Sequence, residues 1–275
     1  MELEILRTIQ KIHNPFFDTF FELITILGEE IFLVPILAMV YWTLNKKLGE
    51  KIGYIVLTSV TLNSVLKGFF NLDRPIGKEG IRTLRPETAT GQSFPSGHSQ
   101  GSATAAATIS YYLKNKGVTI FSIILVSLIG FSRLYLGVHY PKDVIVGILV
   151  GLLVTYIGVK LLEKFDALAV YWLTLLAFLP LLIFDQSGNF IKSMGGFAGF
   201  VLGITLEKKF VNFTIDISWL KKGIRIGVGL IFIVLIRSGL KMIFPPLMIF
   251  DFIRYTLLTF FAIGLYPWIF TKLKI

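Results

Sequence analysis

Apolar residues in this chain run in long blocks separated by short polar interruptions, neither alternating nor confined to one helical stripe. Nine such blocks follow one another, at 20–44, 51–70, 97–114, 118–137, 143–162, 167–184, 190–206, 223–243 and 248–270. A run of about 20 apolar residues crosses a roughly 30 Å hydrocarbon core as a helix, with its backbone hydrogen bonds satisfied internally. No segment has the period-two alternation of a transmembrane barrel strand. The pattern predicts an all-α, polytopic transmembrane helix bundle of about nine spans.

Ahead of the first block, MELEILRTIQKIHNPFFD scatters Glu2, Glu4, Arg7 and Lys11 through an amphipathic pattern. It lacks the layout of a cleavable leader and predicts an interfacial helix over 1–17. The longest polar stretch, Asn71 to Pro95, contains Pro75, Gly77, Gly80, Pro86 and Gly91. Such backbone must lie outside the hydrocarbon or be covered by protein, which makes it a lid or access loop. Glycines four apart, at Gly147/Gly151, Gly195/Gly199/Gly203 and Gly223/Gly227, predict close helix packing.

Composition agrees with a membrane protein: 54% of the 275 residues are hydrophobic, 16% are charged, and mean hydropathy is +0.74. There is no cysteine, hence no disulfide, no thiolate nucleophile and no Cys-based metal site. The net charge of +10 is dispersed between apolar spans, so it argues for membrane lipids and topology and against a nucleic-acid partner. Sorting the loops by side places fourteen basic and five acidic residues on one face, and thirteen basic and twelve acidic on the other. The first face is then cytoplasmic and carries the C-terminus; the second is extracytoplasmic.

That second face gathers three polar clusters, Lys67 to Arg74-Pro75, Pro95-Ser96-Gly97-His98, and Ser132-Arg133 to His139 and Asp143. Ionisable groups beside membrane-length segments are costly unless paired or functional. His139 and Asp143 lie four apart at the mouth of a span that Pro141 can open, so the carboxylate can reach back and fix the imidazole tautomer. A capped helix start with a structural histidine satisfies the same spacing. Ser96 is a candidate N-cap, and Gly97 leaves the amides of a helix N-terminus open to an anion, with His98 beside them as an acid–base group. Lys67, Arg74 and Arg133 supply a point charge and two planar forks suited to phosphoryl oxygens.

Taken together, Lys67-x6-Arg74-Pro75, Pro95-Ser96-Gly97-His98 and Ser132-Arg133-x5-His139-x3-Asp143 resemble the complete signature of the type-2 phosphatidic acid phosphatase superfamily. The resemblance covers residues 18–163, five spans, and leaves 164–275 as a four-span transmembrane extension outside it. It implies phosphoryl transfer with no metal and no cofactor. His139 would be the nucleophile that becomes phosphohistidine, Asp143 would orient it, and His98 would protonate the leaving oxygen and later activate water. Lys67, Arg74, Ser96, Gly97 and Arg133 would bind the phosphate. The implied substrate is a lipid phosphate or pyrophosphate, such as a polyprenyl pyrophosphate, phosphatidic acid or phosphatidylglycerol phosphate, hydrolysed on the extracytoplasmic side. A phosphotransferase acting on a lipid or sugar acceptor, or a lipid-phosphate carrier or flippase, is the alternative. Oligomeric state is not legible in the sequence.

Outside the signature, Glu29 and Glu30 follow Gly28 in the first span and fit either a helix kink or a partner in the site or among the loop cations. Arg82 and Arg85 fit either solvated loop positions or attraction of anionic head groups. Arg237 and Arg254 fit ion pairs with Asp185 or Asp251, or a lipid-binding surface. His13 is expected at the surface, and Asn212-Phe213-Thr214 is a chance glycosylation sequon given its cytoplasmic placement.

Overall fold

A computed structural model describes residues 1–184 and 187–275 as a succession of helices, with no strand among the described residues. The N-terminal segment forms α1 (Glu2–Gln10), and Asn14 caps α2 (Pro15–Ile26), its side chain accepting from the Phe17 amide. The chain breaks over 27–29 and resumes as α3 (Glu30–Met39), which runs into a π turn at Val40–Leu44. There follow α4 (Lys46–Phe70), α5 (Gly97–Leu113), α6 (Lys116–Tyr135) and α7 (Pro141–Lys164). The remainder forms α8 (Ala167–Phe178), α9 (Gly188–Leu206), α10 (Trp219–Ile243), α11 (Met248–Phe260) and α12 (Tyr266–Lys272).

The protein is a multi-span membrane protein. Among the described residues six helices are long and apolar enough to cross, and a seventh span forms if α2 and α3 count as one broken crossing. The sequence pattern predicts two more, 97–114 and 167–184; both are helical but shorter. Ser96 caps α5 at one end and left-handed Lys114 stops it after 17 residues. Its Ser99, Gln100, Ser102, Thr104 and Thr108 are buried, so α5 is an inner helix covered by protein, which its small polar residues suit. In α8, Pro180 turns the chain into a 3-10 segment at Leu179–Ile183 after 12 α-helical residues.

Two compact units divide the chain, Met1–Leu33 with Leu62–Val159, and Val34–Thr61 with Lys160–Ile275. In the first, α7 lies against α5 because it is bare where they meet: a Cβ on Gly147 would stand 2.7 Å from the Ser96 carbonyl, and one on Gly151 2.6 Å from that of Gln100. Thr155 Oγ1 donates to the Thr104 carbonyl across the same seam at 3.3 Å. At the other end Phe21, Tyr135, Leu136 and Val138 form a buried cluster backed by Ile9, Phe17 and Leu84. The α1 helix is packed there, with Leu6 fully buried and Gln10 donating to the carbonyls of Arg82 at 2.6 Å and Tyr135 at 2.9 Å.

In the second unit, Gly195 and Gly199 of α9 meet the α11 backbone, a Cβ falling 2.4 Å from Phe252 O and 2.3 Å from Thr256 O. Gly223 and Gly227, by contrast, face open space, so their four-residue spacing marks no helix contact; α10 exposes apolar side chains such as Ile231, Val234 and Leu235. Charges are paired: Lys46 with Glu207, Lys208 with Glu50 at 2.6 Å, and Arg254 with Asp251. Arg237 has no ion-pair partner among the described residues, and Asp185 lies outside them.

Candidate active site

All three polar clusters fall in the first unit and converge. Pro141 opens α7, as its missing N–H favours, and this leaves His139 in the preceding turn and Asp143 in the first helical turn. His139 Nδ1 stands 3.3 Å from Asp143 Oδ2; the imidazole is 1% exposed and the aspartate 0%. The same carboxylate oxygen accepts from the Tyr140 amide at 2.9 Å and from Ser93 Oγ at 2.5 Å. Asp143 is therefore a held acceptor, not a free helix cap.

The cap of α5 joins this turn. Ser96 accepts from the Ser99 amide and hydroxyl, and its own amide donates to the Asp143 carbonyl at 2.9 Å. Gly97 is bare towards α4: a Cβ there would lie 3.2 Å from Asn63 Oδ1, and Asn63 Nδ2 donates to Pro95 O at 3.2 Å and to Gln100 Oε1 at 2.8 Å.

The cations stand around the two imidazoles. Arg74 donates to the carbonyls of Thr90, Gly91 and Val138 at 2.9 Å each and to Gln92 O at 3.2 Å, and its Nη1 lies 2.9 Å from His139 Nε2. Lys67 Nζ donates to the carbonyls of Gln92 and Ser93. Arg133 differs: Nη1 donates to Thr25 Oγ1 at 2.5 Å, while Nε and Nη2 are buried with no hydrogen-bond partner among the described residues. Leaving charged donors buried and unpaired is costly unless an anion is to meet them.

Burial, reinforced by Arg74, Arg133 and Lys67, holds the His139 imidazole well below its ordinary value and hence neutral, with a lone pair at Nε2. Burial likewise brings Arg74 down to about 10, which leaves it charged at neutral pH. Arg74 also lines an open cleft of ≈ 330 Å³ with Asp73, Ile76, Lys78, Gly91 and Gln92.

His98, at the start of α5, has Nε2 buried without a hydrogen-bond partner and 3.9 Å from Glu29 Oε1. Glu29 sits at the α2–α3 break and pairs with Arg85 Nη1 at 3.1 Å, so it has both a site partner and a loop partner. Arg82 pairs with Asp18 and is tied to the fold. The eight sequence-predicted site residues thus lie in one neighbourhood. Thr25, Ser93 and Asn63 join them unannounced, since a hydroxyl or amide in an apolar helix or a serine in a loop has no distinguishing spacing.

Family models described as the PAP2 superfamily and as the PAP2 superfamily phosphatase, transmembrane extension, match residues 50–167 and 191–275. Phosphatidylglycerophosphatase B of Bacillus subtilis is 31% identical, over 53% of this chain and 75% of its own. A probable sphingosine-1-phosphate phosphatase of Dictyostelium discoideum is 28% identical over 55% of this chain, and the match spans 40% of that relative's length. The crystal structure of Aquifex aeolicus LpxE superimposes with a TM-score of 0.53 at 31% identity, covering 58% of this chain and 94% of that one.

Proposed function

Because this chain belongs to the PAP2 superfamily, we propose that it is an integral membrane phosphatase that hydrolyses a lipid phosphate or pyrophosphate through a phosphohistidine. The observation that carries this reading is the pairing of a buried, neutral His139 with Asp143 within the electrostatic reach of Arg133, whose Nε and Nη2 remain unspent.

His139 Nε2 attacks phosphorus while Asp143 holds Nδ1–H, fixing the tautomer and balancing the imidazolium charge that appears as the P–N bond forms. Arg74 Nη1 caps that lone pair at 2.9 Å and turns to a phosphoryl oxygen as phosphorus approaches. Arg133, Lys67 and the amides at the start of α5 take the remaining oxygens, whose charge is greatest in the transition state. The P–O bond to the lipid breaks, its electron pair going to oxygen, and that oxygen takes a proton from His98. Water then attacks phosphorus, gives a proton to His98, and the P–N bond breaks to restore His139. Acid–base assistance of this kind contributes about 10²–10⁴-fold.

Relatives named for phosphatidylglycerophosphate and sphingosine-1-phosphate support a head group carrying a phosphate ester and a tail held among apolar helices. The excess of basic residues on the opposite face supports an extracytoplasmic site with a cytoplasmic C-terminus. The test is phosphate release by the purified protein in EDTA from phosphatidic acid, phosphatidylglycerol phosphate and a polyprenyl pyrophosphate. Release is expected from at least one and is lost in His139→Ala and His98→Ala; no release from any, or release that survives His139→Ala, overturns the reading. Phosphate found on an added lipid alcohol instead of in solution would identify transfer.

A further inference from the structure

We propose that Glu29 is a positioning residue for His98, forming a second carboxylate–imidazole pair that favours proton uptake by the leaving-group acid and aims it. The inference rests on the phosphatase reading above.

Three observations carry it. The break over 27–29 frees Glu29 from regular helix and delivers its Oε1 to 3.9 Å from His98 Nε2, both groups mostly buried at 15% and 16% side-chain exposure. Gly28 packs the break directly against this pair, since a Cβ there would already touch His98 Cδ2 at an ordinary 3.5 Å and would stand 3.1 Å from Ile129 Cγ2. His98 Nε2 is buried without a hydrogen-bond partner among the described residues, and the oxygen it faces across a short gap, Glu29 Oε1, is held in place by Arg85 Nη1 at 3.1 Å.

The electrical setting supplies the need. Around His98 stand Arg133 from α6, Arg74 from the loop, and His139 from the turn before α7; Glu29, itself paired with Arg85, is the acidic group that acts on it. Burial first, and then the cations, disfavour a protonated imidazole, yet His98 must hold a proton when the lipid oxygen departs. Glu29 opposes them from the nitrogen it faces and leaves the other ring nitrogen for that oxygen. His98 first, and then Arg85, bonded to Glu29 at 3.1 Å and to Glu22 O at 3.2 Å, favour the ionised carboxylate, and Arg85 holds it in place. The proton count is unchanged: His98 loses its proton to the leaving oxygen and regains one from water, and Glu29 stays a carboxylate throughout.

Two measurements on Glu29→Gln test it in the full-length protein. With phosphatidic acid, whose alkoxide leaving group requires a proton, kcat should fall at least 10-fold. With p-nitrophenyl phosphate, whose phenolate departs unaided, it should fall less than 3-fold. The basic limb of the pH profile should move to lower pH, Glu29→Asp should recover part of the loss, and Glu29→Gln should add nothing to His98→Ala. Equal losses on both substrates, with an unmoved profile, would mean that Glu29 only braces the fold. Independently of turnover, NMR titration of histidine-labelled protein should find the His98 pKa lower in Glu29→Gln than in wild type. An unmoved His98 titration overturns the pairing even if the enzyme is active. A wild type that releases no phosphate while its His98 titration does respond to Glu29→Gln overturns the phosphatase reading and leaves the pair standing.

Discussion

The amide of Ser96 donates to the carbonyl of Asp143 at 2.9 Å, which makes the start of α5 and the first turn of α7 one continuous piece of hydrogen-bonded backbone. His98 and His139 ride on the two sides of that bond. Nucleophile and acid are thereby spaced by main chain instead of by flexible side chains, the kind of support on which near-attack geometry depends.

Gly147 guards this junction. In Gly147→Ala the methyl carbon would stand 2.7 Å from Ser96 O, so α5 and α7 must part. Overpacking of this kind costs about 1–3 kcal/mol, and we expect a lower Tm together with a kcat reduced more than 10-fold. Gly223→Ala, with nothing within 4 Å, should leave activity unchanged and raise Tm slightly, by up to about 1 kcal/mol of helix propensity. Thermal unfolding and lipid hydrolysis of the pair are the check.

Thr25→Val keeps the shape of the side chain but removes the acceptor for Arg133 Nη1. A buried charged donor then loses its partner, a cost of about 1–3 kcal/mol, and the guanidinium loses its aim. KM for the lipid phosphate should rise about 10-fold, each factor of ten being about 1.4 kcal/mol, whereas Thr25→Ser should stay near wild type. Steady-state kinetics of both variants separate a lost hydroxyl from a lost methyl.

Besides His139 Nδ1, Asp143 Oδ2 is held by Ser93 Oγ and the Tyr140 amide, and Ser93→Ala withdraws the first of these. The carboxylate remains tethered but can rotate away from His139. We expect kcat to fall about 10-fold with KM nearly constant, the pattern of an interaction expressed in the transition state. A Ser93→Ala enzyme with wild-type kcat would dismiss the contact as incidental.

The acid limb of activity follows from His139. Its folded-state pKa lies below the ordinary 6.5, so folding favours neutral imidazole; that contribution is complete above 6.5 and is lost as pH falls. Nucleophilic competence should follow the same direction, and kcat/KM should hold through pH 6.5 and decline only below it. The pH profile of kcat/KM on a lipid phosphate measures this directly; a decline already centred at or above 6.5 would contradict the burial argument.

The signature was legible because each of its residues sits where a polar run meets an apolar one, and such junctions are visible in a linear string. Pro141, Ser96 and Gly97 announce local geometry, and the cations and imidazoles announce their cost beside lipid. Thr25 announces nothing, since its partner Arg133 is distant in sequence and the contact exists only once α2 packs on α6. Glu29 was visible as an acid at membrane depth, but two readings fitted it until the break after α2 placed it between His98 and Arg85. Hydropathy does not distinguish α5 and α8 from the longer helices because it reports apolar length and not what covers it. Gly223/Gly227 misled for a related reason: spacing marks one face of a helix but does not supply a neighbour for it.

Over residues 90–93 the loop turns four successive carbonyls to the cluster: Thr90, Gly91, Gln92 and Ser93 all point oxygen towards Arg74 or Lys67. Its backbone alone is therefore a negative wall, opposite in sign to a phosphate-cradling glycine loop. The two cations do more than attract an anion; they invert the polarity of the lining that surrounds it. In Arg74→Ala the wall itself would turn repulsive to the phosphate that the rest of the pocket is shaped to receive.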